Sequence, residues 1–322
     1  MKDKILVTGA AGFIGFHLTK SLLIDGYEVL GIDNLNNYYD PKLKNNRLGQ
    51  LNLFKNFNFK NIDISDKDSL RLAFISFNPD KVVNLAAQAG VRYSIDHPYT
   101  YMQSNLVGFL NIIELCRHNN VKGLIYASSS SVYGGNTKTP FSENDIVDNP
   151  ISLYAATKKS NELIANTYSH LYGLHTTGLR YFTVYGAWGR PDMSYYIFTD
   201  KILHDKKITV FNHGNMIRDF TYIDDIISGT RAAITKNYKC QVFNLGNNKR
   251  EKLMDIINYI EKKCNKKAII DFQPIQPGDV KETYANINKS AKMLDYKPKT
   301  NFENGISKFI NWYKEYYEIK FL

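Results

Sequence analysis

The sequence contains few cysteines and no long apolar run. Its three cysteines, Cys116, Cys240 and Cys264, are far apart, and such spacing builds neither a disulfide framework nor a zinc site. None of the apolar stretches among the 322 residues approaches the ~20 residues that span a bilayer, and the first residues do not resemble a signal peptide. We therefore expect a protein without a bound metal or a membrane anchor, located in the cytoplasm.

Concentrated positive charge is also missing. The chain has 41 basic and 31 acidic residues and a net charge of +10, but its lysines occur at scattered points, without the basic stripe and interleaved aromatic residues of a nucleic-acid groove. We expect no nucleic-acid partner. A diffuse positive field still attracts a negatively charged small molecule.

Strand-like and helical segments alternate through the first 180 residues. The strand-like runs are 4–8, 28–33, 57–63, 81–86, 123–128 and 175–180. Alternation at this spacing predicts an α/β fold of the Rossmann type, a doubly wound parallel sheet with helices on both faces. We assign 1–182 to this domain and 183–322 to a smaller α/β substrate domain. The boundary is discontinuous, because the strand-like run 241–245 can return to the main sheet.

A glycine-rich turn follows the first strand. Gly9, Gly12 and Gly15 stand between that strand and a helical pattern, where glycine lets the backbone approach a pyrophosphate at the helix N-terminus. The next strand ends in Asp33, near the offset at which a carboxylate binds the ribose of an adenosine. A carboxylate there repels a 2′-phosphate, so the pattern favours NAD over NADP. The alternative is an ordinary glycine turn.

A tyrosine and a lysine occur at helical spacing near a run of serines. Tyr154 and Lys158 lie four residues apart, hence on one helix face, and Ser129 ends a strand-like run. A neighbouring ammonium group stabilises a phenolate, so we expect Lys158 to lower the pKa of Tyr154 and to make this side chain a general base.

With these motifs the chain resembles the extended short-chain dehydrogenase/reductase superfamily. Within it, the sequence is most similar to nucleotide-sugar 4-epimerases that act on UDP-glucuronate, through the segments 33–40, 86–94, 186–193, 218–225 and 276–280. The resemblance implies catalysis by Tyr154, Lys158 and Ser129. It also implies that NAD is bound by Gly9, Gly12, Phe13, Ile14, Gly15, Asp33, Asn34, Asn37, Asp63, Ile64, Leu85, Ala86, Ala87, Gln88, Asn105, Tyr154, Lys158 and Tyr181.

The same resemblance implies a UDP-sugar site. Arg218 would bind the diphosphate and Asp279 the uridine ribose, while Phe211 would pack against uracil or belong to the core. Gln276 stands where galactose epimerases carry arginine, and Ala187 stands where proline is usual, which predicts a looser loop before Arg190. The substrate-binding residues are then Arg92, Ser129, Ser130, Ser131, Thr183, Arg190, Phe211, Arg218, Gln276 and Asp279, of which Arg92 and Arg190 have the alternative of being ordinary surface arginines.

The residues after Ser129 bear on the reaction. Related 4,6-dehydratases carry an Asp-Glu pair there, and UDP-glucuronate decarboxylases carry a glutamate, whereas this chain has Ser130 and Ser131. Elimination then lacks its acid and base, while hydroxyls can donate hydrogen bonds to a carboxylate. This favours epimerisation of UDP-glucuronate to UDP-galacturonate through a transient 4-keto sugar, in polysaccharide biosynthesis.

Three other functions stay open. They are a 4-epimerase of UDP-N-acetylglucosamine or another UDP-hexose, a UDP-glucuronate decarboxylase, and an NAD-binding regulatory protein without catalysis. The helical stretches 101–117 and 153–171 resemble those that form a four-helix dimer interface in the superfamily, so we expect a homodimer.

Overall fold

A parallel sheet of seven strands forms the centre of the structure, a computed structural model that describes residues 2–276 and 279–319. The strands of the described residues are β1 (Lys4–Thr8), β2 (Glu28–Asp33), β3 (Phe57–Asn61), β4 (Lys81–Asn84), β5 (Gly123–Ser129), β6 (Thr176–Tyr181), β7 (Thr183–Tyr185), β8 (Lys207–Phe211), β9 (Ile217–Arg218), β10 (Phe220–Tyr222), β11 (Cys240–Leu245), β12 (Glu251–Lys252) and β13 (Ile269–Gln273). The large sheet has the order β11-β6-β5-β4-β1-β2-β3.

Helices cover both faces of this sheet, and others pack together in the C-terminal part. They are α1 (Phe13–Ile24), α2 (Pro41–Leu51), α3 (Lys67–Phe77), α4 (Tyr93–Asp96), α5 (Pro98–Tyr101), α6 (Gly108–His118), α7 (Leu153–Tyr172), α8 (Ser194–Leu203), α9 (Ile223–Lys236), α10 (Leu253–Cys264), α11 (Asn288–Leu294) and α12 (Phe302–Tyr316). The helices that pack together in the C-terminal part include α8, α10 and α12. A wide π-helical turn, Met102–Val107, joins α5 to α6, so the helical stretch predicted near 101–117 is continuous but irregular.

Local sequence explains where the longest helix begins and ends. Ser152 precedes α7 and accepts a hydrogen bond from the amide of Ala155 (3.1 Å), which satisfies one of the free amides of the first turn. Gly173 follows α7 with φ +68°, a left-handed conformation that glycine adopts without a steric penalty. Tyr154 and Lys158 therefore lie in the first two turns of a well-capped helix.

Two apolar cores hold the layers together. Leu6, Phe74, Phe109 and other buried side chains fill the space between one face of the sheet and α3, α6 and α7. A larger cluster covers the other face and continues into the C-terminal part through residues such as Ile226 and Phe309. Strands that are apolar on both sides are typical of a sheet buried on two faces.

The predicted α/β fold is confirmed, with small differences at strand ends. The runs predicted to reach Asp63 and Ala86 stop as strands at Asn61 and Asn84, because the chain turns into loops whose amides pair with side chains. Residues 240–245 pair in parallel with β6, so this late segment lies in the main sheet. The division of the chain into domains at 182 stays a prediction.

Candidate active site

A cleft of about 1050 Å³ runs along the carboxyl ends of the parallel strands. The strand order reverses direction between β1 and β4, which is where open parallel sheets leave a crevice for ligands. All of the residues predicted for cofactor, catalysis and substrate line this cleft, apart from Asn37, Asn105 and Gln276.

The glycine turn at one end of the cleft has no room for side chains. A Cβ atom on Gly15 would lie 2.0 Å from the carbonyl oxygen of Gly9, and Gly9 itself has φ +70°. Helix α1 begins after Gly12 without a side-chain cap, so its first amides and the positive end of the helix dipole face the cleft. The turn fits a pyrophosphate group.

Asp33 lies beside this turn at the end of β2. Its carboxylate accepts hydrogen bonds from the amides of Ala11 (3.1 Å) and Leu35 (2.9 Å). Burial raises the pKa of Asp33, against the effect of these amides and of the nearby Lys44 ammonium group. Next to it, Asn34 donates to the carboxylate of Asp63 (2.7 Å). These polar groups form an edge suited to the hydroxyls of a ribose.

Two of the residues predicted to bind the cofactor lie elsewhere. Asn37 is exposed outside the cleft. Asn105 is buried behind the cleft, where its amide exchanges hydrogen bonds with the backbone of Gln88 (2.8 and 3.0 Å) and reaches Thr157 (3.1 Å). Gln88 follows the end of β4, and its backbone pairs with the Asn105 side chain instead of a neighbouring strand. Asn105 thus supports the loop after β4 from behind.

Tyr154, Ser129 and Lys158 meet in the middle of the cleft. Burial raises the pKa of Tyr154, while a hydrogen bond with Ser129 and the positive charge of Arg190 act in the opposite direction. The Lys158 ammonium group donates to the carbonyl oxygen of Ala127 (2.9 Å) and lies 5.9 Å from the centre of the Tyr154 ring. Burial lowers the pKa of Lys158 to about 8.

The predicted effect of Lys158 on Tyr154 is therefore absent from this conformation. The ammonium group of Lys158 is directed to the strand carbonyl, and the cation that lowers the pKa of Tyr154 is Arg190. Desolvation outweighs both favourable contributions, so the phenol of Tyr154 has a raised pKa rather than the lowered one that the spacing predicts.

Serine hydroxyls continue from Ser129 toward the part of the cleft where Arg190 lies. The Ser129 hydroxyl accepts from the amide of Ser131 (3.1 Å) and donates to the Ser131 hydroxyl (3.1 Å). Ser130 and Thr183 also line the cleft. The group offers several hydroxyls, and no carboxylic acid occupies positions 130 or 131.

Arg190 enters the same end of the cleft and is paired. Its Nε donates to the Asp192 carboxylate (3.0 Å), a second guanidinium nitrogen contacts the other carboxylate oxygen, and the Tyr38 hydroxyl donates to Asp192 as well (3.0 Å). Burial opposes ionisation of Asp192, but the charge of Arg190 dominates and lowers its pKa. Arg190 is thus an ordered cation and not a free surface arginine.

The far end of the cleft contains a second charged cluster. Arg92 pairs with Asp279 (2.7 Å) and lies over the ring of Phe211 (4.5 Å to its centre). Arg218 donates to the carbonyl oxygens of Ile217 (2.9 Å) and Lys281 (3.2 Å), and burial lowers its pKa. Phe211 is half-buried against the cleft, so its ring is available to a ligand.

Gln276 does not line the cleft. Its carbonyl oxygen accepts a hydrogen bond from the amide of Asp279 (3.2 Å). Residues 277 and 278, which belong to the same motif, lie outside the described part of the chain.

Sequence reasoning missed Tyr38, Lys44 and Asp192, which also line the cleft. Tyr38 and Asp192 lie within segments that the sequence singles out, but their contact joins positions 154 residues apart. Lys44 donates to both oxygens of Asn36 (2.7 Å). For Lys44 the sequence indicates only that it lies near the start of a helix, because Asp40 and Pro41 precede it.

The described residues contain no cluster of three or more histidine, cysteine or acidic side chains able to hold a metal ion. No helix within 2–276 and 279–319 is long and apolar enough to cross a membrane.

Comparisons with known proteins agree with this geometry. The family described as "NAD dependent epimerase/dehydratase family" matches residues 5–246. Protein CapI of Staphylococcus aureus is 51% identical over 98% of this chain and 99% of its own length. UDP-glucuronate 4-epimerase 4 of Arabidopsis thaliana is 47% identical over 97% of this chain and 76% of its own. A crystal structure of UDP-glucuronic acid 4-epimerase from Bacillus cereus with UDP-glucuronic acid and NAD superposes with a TM-score of 0.92, at 37% identity, covering 98% of this chain and 100% of that one.

Proposed function

The chain belongs to the NAD dependent epimerase/dehydratase family, and on that premise we propose that it is a UDP-glucuronate 4-epimerase. It converts UDP-glucuronate to UDP-galacturonate through a transient 4-keto sugar, with NAD as a bound cofactor that is regenerated in each cycle. The observation that carries this proposal is the placement of Tyr154 and Ser129 beside a sugar end formed by hydroxyls and the cation of Arg190.

Tyr154 is the proposed base and acid. In its ionised form, which the raised pKa makes the minor form, Tyr154 takes the proton of the sugar 4-hydroxyl as the C4–H bond breaks, and the phenol returns the proton when the ketone is reduced. Ser129 donates to the oxygen at C4 and lowers the pKa of Tyr154. The glycine turn and Asp33 would hold NAD, which would supply the hydride acceptor for C4 and the hydride donor for the 4-keto sugar. Lys158 holds the first turns of α7 to the Ala127 carbonyl and faces the cofactor side of the cleft.

The sugar carboxylate needs restraint in this reaction. A 4-keto glucuronate is a β-keto acid, and it loses carbon dioxide when the bond to its carboxylate stands perpendicular to the ketone plane. Ser130, Ser131, Thr183 and Arg190 offer hydroxyl and guanidinium donors that can hold the carboxylate out of that geometry. No acid at positions 130 or 131 is present to assist elimination.

The nucleotide would lie beyond the sugar, at the far end of the cleft from the glycine turn. Arg218 offers a planar fork of donors to the diphosphate, Asp279 accepts from ribose hydroxyls, and the Phe211 ring packs against the base. Arg92, which now contacts both Phe211 and Asp279, lies where it can reach the phosphates.

We also propose that the enzyme is a cytoplasmic homodimer. Val107, Leu110 and Leu163 are 40%, 44% and 56% exposed on the irregular turn, α6 and α7, and burying such apolar surface between two copies is favourable. A Leu163→Glu variant is expected to elute as a monomer in size-exclusion chromatography, whereas the wild type elutes as a dimer.

The substrate assignment is tested by incubating the purified protein with UDP-glucuronate and separating the sugar nucleotides, with UDP-glucose and UDP-N-acetylglucosamine in parallel. UDP-galacturonate as the main product supports the proposal. UDP-xylose would indicate a decarboxylase, and turnover of the other two sugars alone would indicate a different 4-epimerase.

The catalytic assignment is tested with Tyr154→Phe. This change is expected to lower turnover at least about a thousandfold, within the range for loss of a general base, and to leave NAD bound. Tyr172→Phe is the matched control, because Tyr172 ends the same helix away from the cleft. Unchanged turnover of the Tyr154 variant would remove this residue from the mechanism.

A further inference from the structure

Hydrogen bonds to its backbone carbonyls hold the loop that carries Arg190 in place. Gly186 and Trp188 have φ values of +144° and +60°, and the carbonyl oxygens of Ala187, Trp188 and Gly189 all accept hydrogen bonds from side chains. The looser loop predicted from alanine at position 187 stays a prediction, against which these three hydrogen bonds argue.

Arg47, on α2, makes two of these bonds. One guanidinium nitrogen donates to Trp188 (2.6 Å) and Gly189 (3.1 Å), and the other donates to the carbonyl of Ala11 (2.8 Å) and the hydroxyl of Tyr39 (2.7 Å). A single planar fork thus joins the glycine turn at the cofactor end to the loop at the sugar end.

The cost of burying Arg47 indicates a role beyond filling space. Its side chain is 0% exposed, and no carboxylate within 2–276 and 279–319 forms a salt bridge with it. Burial of a cation is expensive unless oxygen atoms replace its hydration. Lysine, a point charge with a flexible stem, cannot span four oxygens on three segments in the way that a rigid fork can.

His17, on α1, makes the third bond. Its Nε2 pairs with the carbonyl of Ala187 at 2.9 Å. Burial and the neighbouring charge of Arg47 lower the pKa of His17 to about 4, despite that carbonyl. The ring is therefore neutral near pH 7 and can donate from Nε2 without placing a second charge beside Arg47.

Aromatic rings also pack against this loop. Trp188 contacts Phe16 of α1 (5.5 Å between ring centres) and Trp312 and Tyr316 of α12 (5.4 and 5.2 Å). The indole of Trp188 is thus fixed between α1 and α12, which adds to the hydrogen bonds of the loop backbone.

We propose that Arg47 and His17 are positioning residues for recognition of an acidic sugar. They fix the backbone of residues 187–189, so that Arg190 presents its guanidinium group to the sugar end of the cleft. Neither side chain lines the cleft, and both act through Arg190. This inference rests on the proposed function, because Arg190 is assigned there to the sugar carboxylate.

The test measures the preference for an acidic sugar. In a Tyr154→Phe background, which prevents turnover, dissociation constants are measured for UDP-glucuronate, UDP-glucose and UDP with NAD bound. Arg47→Lys retains the charge but not the fork. It is expected to weaken UDP-glucuronate binding about tenfold, and to change the affinities for UDP-glucose and UDP less than about twofold.

Arg231→Lys is the matched control. Arg231 is a partly buried arginine of α9 that ties two helices together through Ser21 and Asp25, and it does not line the cleft. The same substitution there is expected to leave all three affinities unchanged. An equal loss for all three ligands in Arg47→Lys, or no loss at all, would reduce Arg47 to a structural residue and overturn the inference.

His17 supplies a second test in case Arg47→Lys does not fold. His17→Gln keeps a donor that can reach Ala187 and is expected to retain the preference, whereas His17→Leu removes the donor and is expected to reduce the preference about threefold. Equal behaviour of these two variants contradicts the inference. If the wild type itself shows no preference for UDP-glucuronate over UDP-glucose, the proposed function fails and the inference fails with it.

Discussion

The two ends of the cleft are built in different ways. The cofactor end is made of backbone, with glycines whose missing side chains create the space and helix amides that create the charge. The sugar and nucleotide end is made of charged and polar side chains from distant segments, such as Asp192 with Tyr38 and Arg92 with Asp279. A backbone site tolerates no added atom, whereas a site of paired side chains can lose one member and keep part of its function.

The largest effect is expected at the cofactor end. Gly15→Ala would place a methyl group 2.0 Å from the carbonyl oxygen of Gly9, and the turn must open to relieve this overlap. We expect loss of bound NAD and a decrease in turnover of more than about a hundredfold, since catalysis depends on the cofactor. NAD released by denaturation and measured by chromatography is the direct readout.

Gly49→Ala is the control for that change. Gly49 lies in α2, and no atom would approach its added Cβ within 4 Å. Alanine favours a helix over glycine by roughly 0.5–1 kcal/mol, so this variant should keep NAD and melt at an equal or higher temperature. A Gly15 variant that behaves like the Gly49 variant would refute the steric account of the turn.

The hydrogen bond between His17 and the carbonyl of Ala187 gives a pH-dependent prediction. The pKa of His17 is about 4 in the folded chain and 6.5 in the unfolded one. The unfolded state therefore binds a proton first as the pH falls. The contribution of neutral His17 to the free energy of unfolding is complete above pH 6.5. It decreases progressively, by about 3 kcal/mol in total, as the pH falls to 4.

Urea unfolding between pH 7.5 and 4 measures this loss. His17→Gln, which cannot titrate, should lack that part of the acid destabilisation while other groups contribute equally to both proteins. Parallel stability curves for the two proteins would show that His17 is accessible to protons in the folded state, and hence that its contact with the Arg190 loop is open in solution.

The difference between the ends also decides what the sequence could predict. The glycine turn, Asp33 at a strand end, and Tyr154 with Lys158 depend on neighbours within a few residues, so periodicity and spacing were enough to place them in one cleft. The pairs at the other end join positions such as 38 with 192 and 92 with 279. Local spacing holds no information about such partners.

The same limit applies to pKa values. Helical spacing places Lys158 beside Tyr154, but the direction of an ammonium group depends on the nearest oxygen, here the carbonyl of Ala127. Burial of the phenol depends on the surrounding elements. The place of Asn105 was open for a related reason, because an amide at a helix position can face the cleft or support a loop from behind.

Within the sugar end, removal of the central cation should change selectivity more than overall binding. Arg190→Met keeps most of the side-chain volume but none of the donors. We expect UDP-glucuronate to bind about tenfold more weakly, in line with about 1.5–3 kcal/mol for hydrogen bonds to charged groups partly replaced by the serine hydroxyls, and UDP-glucose to bind nearly as before. Isothermal titration calorimetry of both ligands in the Tyr154→Phe background distinguishes a loss of selectivity from a loss of overall binding.

Lys201→Met serves as the comparison, because Lys201 also lines the cleft but does not pair with Asp192. It removes the same unit of charge from the cavity. A loss of UDP-glucuronate affinity of the same size in both variants would mean that overall charge, and not the placement of Arg190, selects the acidic sugar.

The smallest effect is expected at the nucleotide end. Arg92 is 50% exposed and Asp279 is 17% exposed, and ion pairs of this kind contribute at most about 1 kcal/mol because water and salt screen them. Arg92→Met should therefore change the affinity for UDP less than about fivefold, and the difference from the wild type should shrink between 50 mM and 500 mM salt. A larger loss that persists at high salt would show that Arg92 is desolvated when UDP binds, which would make this end of the cleft as intolerant of change as the glycine turn.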